Sequence, residues 1–159
     1  MAFSQNAFGA LSAGDIAFVA FNADGDDDFA IVLLAGVTNE IIYFTYNNSN
    51  GSGGINNNEG IIKWVSGATS IDAGTIIIFT DAGNSSTLSS SLGTLSNEDG
   101  DFNLSASGDC ILAYQTGSPI TFLAGIRNED EPSAGEITGT GLTEGTTFIT
   151  FSTTNRDGG

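Results

Sequence analysis

The chain has 159 residues, a formal net charge of −16, three cationic side chains, one cysteine and no histidine. Three cations cannot neutralise a run of phosphates, which argues against nucleic acid and anionic membrane surfaces as partners. Without histidine, the chain has neither a triad built on that residue nor an imidazole-based zinc site, and its length suits one domain.

The location of the protein is suggested by composition alone. No stretch approaches the roughly 18 consecutive apolar residues of a membrane span, and residues 1–12 lack the basic flank and apolar run of a secretory signal. A surface almost free of lysine resists trypsin-like proteases and is typical of exported proteins. We therefore expect an extracellular or cell-surface location without membrane insertion, the alternative being ordinary acidic solubility.

Short runs rich in Val, Ile, Phe and Thr alternate with clusters of turn-forming residues along the chain. These runs have the length of strands and are too short for helices. Eight or nine strands in one domain predict an all-β sandwich or barrel over residues 12–159, preceded by a flexible N-terminal arm of residues 1–11. We predict strands over residues 15–22, 29–35, 41–46, 61–65, 75–80, 110–115, 120–126 and 147–151, with residues 101–104 as a candidate ninth.

Two polar segments, residues 47–60 and 81–100, are predicted to be surface loops or meandering edges. Within the second, Leu88, Leu92 and Leu95 are spaced by four and three residues. This spacing is compatible with one amphipathic helical turn across the end of the sandwich, and low sequence complexity explains it equally well.

Three predicted strands are apolar on both alternating faces, over residues 16–21, 30–34 and 76–79. A strand with one solvated face would alternate apolar and polar residues, so each of these strands needs a cover on its second face. The cover is either a loop of the same chain or a partner subunit, and the pattern leaves both interpretations open.

An acidic turn in "NADGDDD" is the best candidate for a metal site. Asn22, Asp24, Asp26 and Asp28 alternate along it, so their oxygen atoms could converge on one Ca²⁺ ion at 2.3 to 2.6 Å. The turn lacks the spacing of an EF-hand loop, and a solvated acidic hairpin is the alternative. Two further acidic clusters, residues 97–101 and 128–131, are interpreted as solvated loops in preference to ligand sets.

The remaining reactive or aromatic residues favour structural uses. Trp64 and Tyr46 are the candidates for a platform on which a sugar could stack, although packing in the core is the favoured alternative. Cys110 is expected to be a small buried hydrophobe. A carboxylate pair for glycoside hydrolysis needs a defined geometry, usually in an aromatic cleft, and most aromatic residues here fall in predicted strands, so we predict no enzymatic activity.

Several stretches together resemble a known family. They are "SAGDIAFVAFNADGDDDFAIVLLAGV", "IIYFTYNN", "NEGIIKWV", "DAGTIIIFTDAG" and "LSASGDCILAYQTGSPITFLAGI". The set is similar to the repeated β-rich domain of large bacterial, often cyanobacterial, secreted and surface proteins. Residues 71–80 and 105–112 more distantly resemble two strands of the lamin-tail domain. The resemblance covers most of residues 12–126 and fades beyond Arg127.

The resemblance implies a fold and a setting. The fold is an immunoglobulin-like, lamin-tail-like β-sandwich of about eight or nine strands. Members of such families look like non-catalytic extracellular modules, frequently beside calcium-binding repeats, and no catalytic residues come with the likeness.

We expect a non-catalytic extracellular structural subunit whose partners are copies of itself, assembled into a filament or surface layer. Assembly would use strand edges or the doubly apolar faces, and the N-terminal arm could add a strand to a neighbour. Ala7, Phe8, Ala10 and Leu11 supply the apolar side chains of that arm. The alternative is a calcium-dependent adhesion or carbohydrate-binding module of a larger secreted protein.

Overall fold

The computed structural model describes residues 10–23, 25–105, 108–128 and 137–150 of the chain. These ranges contain ten strands and no helix. The strands are β1 (Ile16–Phe21), β2 (Phe29–Leu33), β3 (Ile41–Thr45), β4 (Ile61–Val65), β5 (Ile76–Thr80), β6 (Ser89–Ser90), β7 (Thr94–Asp99), β8 (Cys110–Gln115), β9 (Thr121–Arg127) and β10 (Phe148–Thr150).

The strands form two sheets, one with the order β1-β2-β5-β6 and one with the order β10-β9-β8-β3-β4-β7. Neighbouring strands are antiparallel except β10, which runs parallel to β9 at the edge of the larger sheet. The predicted all-β sandwich is confirmed, with ten strands in place of eight or nine. Within the described ranges no helix is long and apolar enough to cross a bilayer.

Aromatic side chains from both sheets fill the space between them. Phe29 stacks on Phe79 with ring centroids 4.6 Å apart, and Phe44 of the larger sheet contacts these rings at 5.0 and 4.9 Å. Each such pair adds about 0.5–1.5 kcal/mol to the burial of its apolar area. Trp64 is fully buried beside them, and its Nε1 donates a hydrogen bond of 2.7 Å to the Leu92 carbonyl. This cluster holds the two sheets together.

The structure corrects two sequence-based predictions. Residues 101–104 form no strand, and their apolar pattern reflects an irregular segment that buries Phe102 and Leu104 in the core. The helical turn considered for residues 87–96 is also wrong, because this tract contains β6 and the start of β7. Leu95 lies opposite Trp64 in the β7–β4 pair. β7 is an exposed edge strand held by backbone pairing, so it carries no apolar alternation that could have signalled it.

A second, smaller core lies on the outer face of β8 and β9. It explains why both faces of these strands are buried. Residues 137–150, which we call the clasp, fold back over this face and contribute apolar side chains to it. Cys110 belongs to this core and is 1% exposed, as predicted. The buried members are Cys110, Leu112, Tyr114, Phe122, Leu142 and Phe148.

Candidate assembly surfaces

The outer face of the four-stranded sheet carries large aliphatic side chains in solvent. Inward residues of β2 and β5 such as Ile31 and Ile77 are fully buried, and the intervening residues therefore point outward. In this register Ala17, Val32 and Ile76 lie side by side across the three strands. We call this surface the aliphatic face. Its most exposed members are Val19 (42%), Leu34 (56%), Ile76 (53%) and Ile78 (50%).

The aliphatic face is uncharged although the chain is strongly acidic. Strands β1, β2, β5 and β6 contain no Asp, Glu, Lys or Arg. The two cations of the described residues, Lys63 and Arg127, belong to the other sheet. Contiguous exposed apolar surface of this kind is rare on soluble monomers and usually marks an interaction site. The sequence pattern had left the cover of these strands open, and no described segment of the chain covers this face.

The clasp is held to the larger sheet by a buried cation. Arg127 is 4% exposed, and its Nε donates a hydrogen bond of 2.8 Å to Thr150 Oγ1. Its Nη2 lies 3.2 Å from Glu144 Oε2, and its guanidinium lies 5.2 Å from the centre of the Phe148 ring. Charged hydrogen bonds of a desolvated guanidinium are stronger than neutral ones. Arg127 therefore links three side chains of the clasp to β9.

Three of the four predicted metal ligands, Asn22, Asp26 and Asp28, lie in the turn between β1 and β2. Asn22 N donates to the Asp28 carbonyl at 2.8 Å, so strand pairing continues into the turn. Asp28 Oδ1 accepts a hydrogen bond of 2.9 Å from Asp81 N, which ties the turn to the loop after β5. Asp26 is exposed, and Asp24 lies outside the described residues. In the part of the chain that the structure describes, no three acidic, histidine or cysteine side chains gather as ligands for an ion.

Asp27, which the alternating pattern passed over, is the buried carboxylate of this turn. It is 4% exposed and adopts a positive φ of 54°, and its Oδ2 accepts a hydrogen bond of 3.2 Å from Leu104 N. A Cβ on Gly83 would lie 2.5 Å from the same oxygen and 3.0 Å from the Phe102 carbonyl oxygen, so a larger residue at position 83 would force the Asp27 carboxylate to move. Burial raises the pKa of Asp27, the Leu104 N–H opposes that shift, and the charges of Asp28 and Asp26 add to it.

The other acidic clusters have separate structural roles. Glu98 of β7 forms an ion pair of 2.6 Å with Lys63, and Asn128 is buried with its Oδ1 accepting a hydrogen bond of 2.6 Å from Asp109 N. Asp99 and Asp101 line an open cleft of about 400 Å³ that also includes Glu59, whose pKa is raised by burial. Residues 129–131 lie outside the described residues.

Of the four residues assigned to an assembly arm, the structure describes Ala10 and Leu11, and these two differ in exposure. Leu11 is 4% exposed and packs in the main core of its own chain. Ala10 is exposed, whereas Ala7 and Phe8 lie outside the described residues. Just after Leu11, Gly14 N donates a hydrogen bond to the Leu123 carbonyl at 2.9 Å. Leu11 is therefore an anchor for the start of the sandwich, and any arm must lie before it.

The two aromatic candidates for a sugar platform differ in exposure, because Trp64 is fully buried whereas Tyr46 is half-buried and lines the open cleft beside Asp101. Trp64 lies in the core, and Tyr46 packs edge-on against Phe102 with centroids 5.5 Å apart. The hydroxyl of Tyr46 donates to the Asp101 carbonyl at 3.0 Å, and burial raises its pKa. The favoured packing in the core is confirmed for Trp64, whereas Tyr46 packs against the core with only part of its side chain.

Together these features define an all-β sandwich with one solvent-facing aliphatic face and one clasped face. No family model, curated protein or solved structure matches the chain. Its function is therefore inferred from its own surfaces.

Proposed function

We propose that this protein is a non-catalytic, extracellular structural subunit that assembles with copies of itself into a filament or surface layer. The observation that carries the proposal is the aliphatic face, on which Leu34, Ile76 and Ile78 are each at least half exposed. Burying apolar area at about 25 cal/mol per Å² makes association of such faces favourable. An extracellular setting is supported by the near absence of lysine and by the resemblance to bacterial surface domains.

Charge supports a second copy as the occupant of this face. Each copy carries a formal charge of −16, so most approaches bring carboxylates of two copies together. The aliphatic face avoids that repulsion because its four strands are uncharged. Two copies that pack through the same face form a self-complementary, two-fold contact.

Substitution on the aliphatic face tests the proposal. Threonine keeps the β-branched shape of isoleucine and its preference for strands while adding a hydroxyl to the surface. We expect Ile76→Thr with Ile78→Thr to weaken association at least tenfold in sedimentation equilibrium, without loss of the folded state. Electron microscopy of the same samples would show the loss of filaments or layers.

A matched control is available on other surfaces of the molecule. Ile41 is 41% exposed on the larger sheet and Leu92 is 44% exposed after β6. The variant Ile41→Thr with Leu92→Thr should associate like the parent protein. A parent protein that stays a 16.3 kDa monomer at every concentration and ionic strength would refute assembly. If both variants associate equally, the aliphatic face is not the surface through which copies associate.

A further inference from the structure

The clasp has its own binding groove on the larger sheet. The Phe148 ring is fully buried over Gly125, where any Cβ would overlap it. Leu142 adds a second apolar side chain, and the Gly125 N–H donates a hydrogen bond of 3.0 Å to the Thr147 carbonyl. At the end of the groove, Arg127 of β9 meets the Glu144 carboxylate. Shape, backbone pairing and charge therefore all match between clasp and groove.

The buried apolar side chains of the clasp lie outside the aromatic cluster that holds the two sheets together. Its buried side chains, Leu142 and Phe148, belong to the small outer core, whereas the partly buried Ile149 packs against the main core. Three residue pairs join β10 to β9, and Ser49 Oγ donates a hydrogen bond to the Thr138 carbonyl of the clasp. Release of the clasp therefore breaks these contacts and the packing of Ile149, but it leaves the aromatic cluster between the sheets in place, and local opening costs least where few buried contacts are lost.

The connection to the rest of the chain is long enough for the clasp to reach a neighbour. Eight residues, 129–136, separate Asn128, which follows β9, from Ile137 at the start of the clasp. A segment of that length spans at most about 30 Å. This distance is comparable to the diameter of a small domain.

We propose that the clasp of one copy occupies the groove of a second copy, which links subunits head to tail. The inference rests on the proposed function and deepens it, because the two-fold contact of the aliphatic face gives only pairs. Clasp and groove are different surfaces of one chain, so each copy can give its clasp to one neighbour and receive a clasp from another. Such a contact either closes into a ring or continues as an open filament.

The clasp in its own groove competes with this exchange. A tether of this kind gives an effective concentration in the millimolar range, so the closed monomer dominates in dilute solution. Copies already paired through their aliphatic faces are held close together, which raises the local concentration of neighbouring grooves. Two copies therefore first pair through their aliphatic faces, and the clasps are exchanged afterwards.

Two complementary variants test the exchange in the full chain. Arg127→Glu places like charges between groove and clasp, and so does Glu144→Arg in a second variant. Each variant alone should lose its clasp and melt at a lower temperature. In a mixture, the groove that carries Arg127→Glu receives the clasp that carries Glu144→Arg, and the unchanged groove receives the unchanged clasp. A one-to-one dimer with restored melting temperature should therefore form. Native mass spectrometry and thermal melting measure both effects.

A second pair of variants leaves no unpaired charge buried, so it tests the exchange of clasps even if Arg127→Glu does not fold. Gly125→Ala crowds the groove against the Phe148 ring, and Phe148→Ala leaves the groove intact while shortening the clasp. Mixing them allows an intact clasp to enter an intact groove only between copies. We again expect a dimer that neither variant forms alone. Mixtures that remain two monomers with unchanged melting temperatures overturn the exchange.

The outcome is independent of the test of the aliphatic face. Ile76→Thr with Ile78→Thr leaves the clasp and its groove untouched. When both complementary variants also carry these two changes, their mixed dimer should therefore still form at millimolar concentration; we call formation of this mixed dimer complementation. Loss of association in the face variant without any complementation refutes the clasp exchange alone. Complementation together with unaffected association of the face variant refutes the aliphatic face and supports the exchange.

Discussion

At the scale of single residues, the most unusual group is the buried carboxylate of Asp27. It accepts a backbone hydrogen bond from Leu104 N and lies between the acidic residues Asp26 and Asp28. Burial raises its pKa above the ordinary value of 3.8, because the charged form loses its hydration. The folded state therefore binds this proton more readily than the unfolded state. For this group stability rises as the pH falls through the folded pKa, and the full gain is present below 3.8.

We predict that Asp27→Asn raises the free energy of unfolding at neutral pH. The amide keeps an oxygen that can accept the hydrogen bond from Leu104 N, and it removes the buried charge. The advantage over the parent protein should shrink as the pH falls, since the parent then carries a neutral carboxyl. Chemical denaturation at a series of pH values from neutral to about 4, close to the ordinary pKa of an aspartate, measures this difference.

Asp26→Asn is the matched control for this change. Asp26 is the adjacent residue and is exposed, so its substitution removes the same charge without removing a buried group. We expect a smaller effect, because only its repulsion of Asp27 is lost. A stability gain equal to that of Asp27→Asn would show that net charge, and not burial, is responsible.

At the scale of elements, the contact between β9 and β10 depends on the missing side chain of Gly125. The Phe148 ring fills the space that a Cβ would occupy, and Leu112 approaches the same point at 3.0 Å. A Cβ therefore forces one of these side chains to move. Crowding of this kind costs about 1–3 kcal/mol in a packed site.

We predict that Gly125→Ala destabilises the clasp by about that amount. Amide hydrogen exchange should accelerate in residues 137–150 and stay unchanged in β1 and β2. Adding Phe148→Leu to Gly125→Ala should cost less than the sum of the two single changes, because the smaller side chain makes room for the new methyl group. Strict additivity of the two changes would contradict a contact between these positions.

The elements also show how far periodicity predicts structure. All eight predicted strands are present with bounds within two residues, since each buries a run of β-branched or aromatic side chains. The polar strand β7 was missed because its pairing with β4 depends on backbone hydrogen bonds. The apolar runs predicted that the strands at 16–21, 30–34 and 76–79 need a covering segment on their second face. They could not predict that the clasp covers the outer face of β8 and β9.

At the scale of the whole molecule, charge opposes association. The formal charge of −16 repels neighbouring copies, and salt screens that repulsion over distances of about 10 Å at 0.1 M ionic strength. We predict that sodium chloride strengthens self-association and also raises the melting temperature. Light scattering and thermal melting over a series of salt concentrations measure the two responses. Association that weakens with salt would show that attraction between charges, and not apolar contact, joins the copies.

The same thermal melting measurements, repeated with calcium, test the predicted metal site in the β1–β2 turn. The calcium hypothesis requires that millimolar calcium raise the melting temperature above that of an EDTA sample at equal ionic strength, because an ion that binds only the folded state stabilises it, whereas a solvated acidic hairpin predicts no difference. Asp26→Asn with Asp28→Asn should remove the difference. An equal melting temperature with calcium and with EDTA would contradict the site formed by Asn22, Asp24, Asp26 and Asp28.

The sequence by itself determined the class of fold, the scarcity of charge in the apolar strands, and the interaction classes that a net charge of −16 disfavours. These properties follow from local composition and from the two-residue period of a strand. Only the tertiary structure decided which apolar faces are covered by the chain and which face solvent. It also placed Leu11 in the core, buried Asp27 and joined Arg127 to Glu144. Those outcomes depend on contacts between segments far apart in the chain, which no local pattern contains.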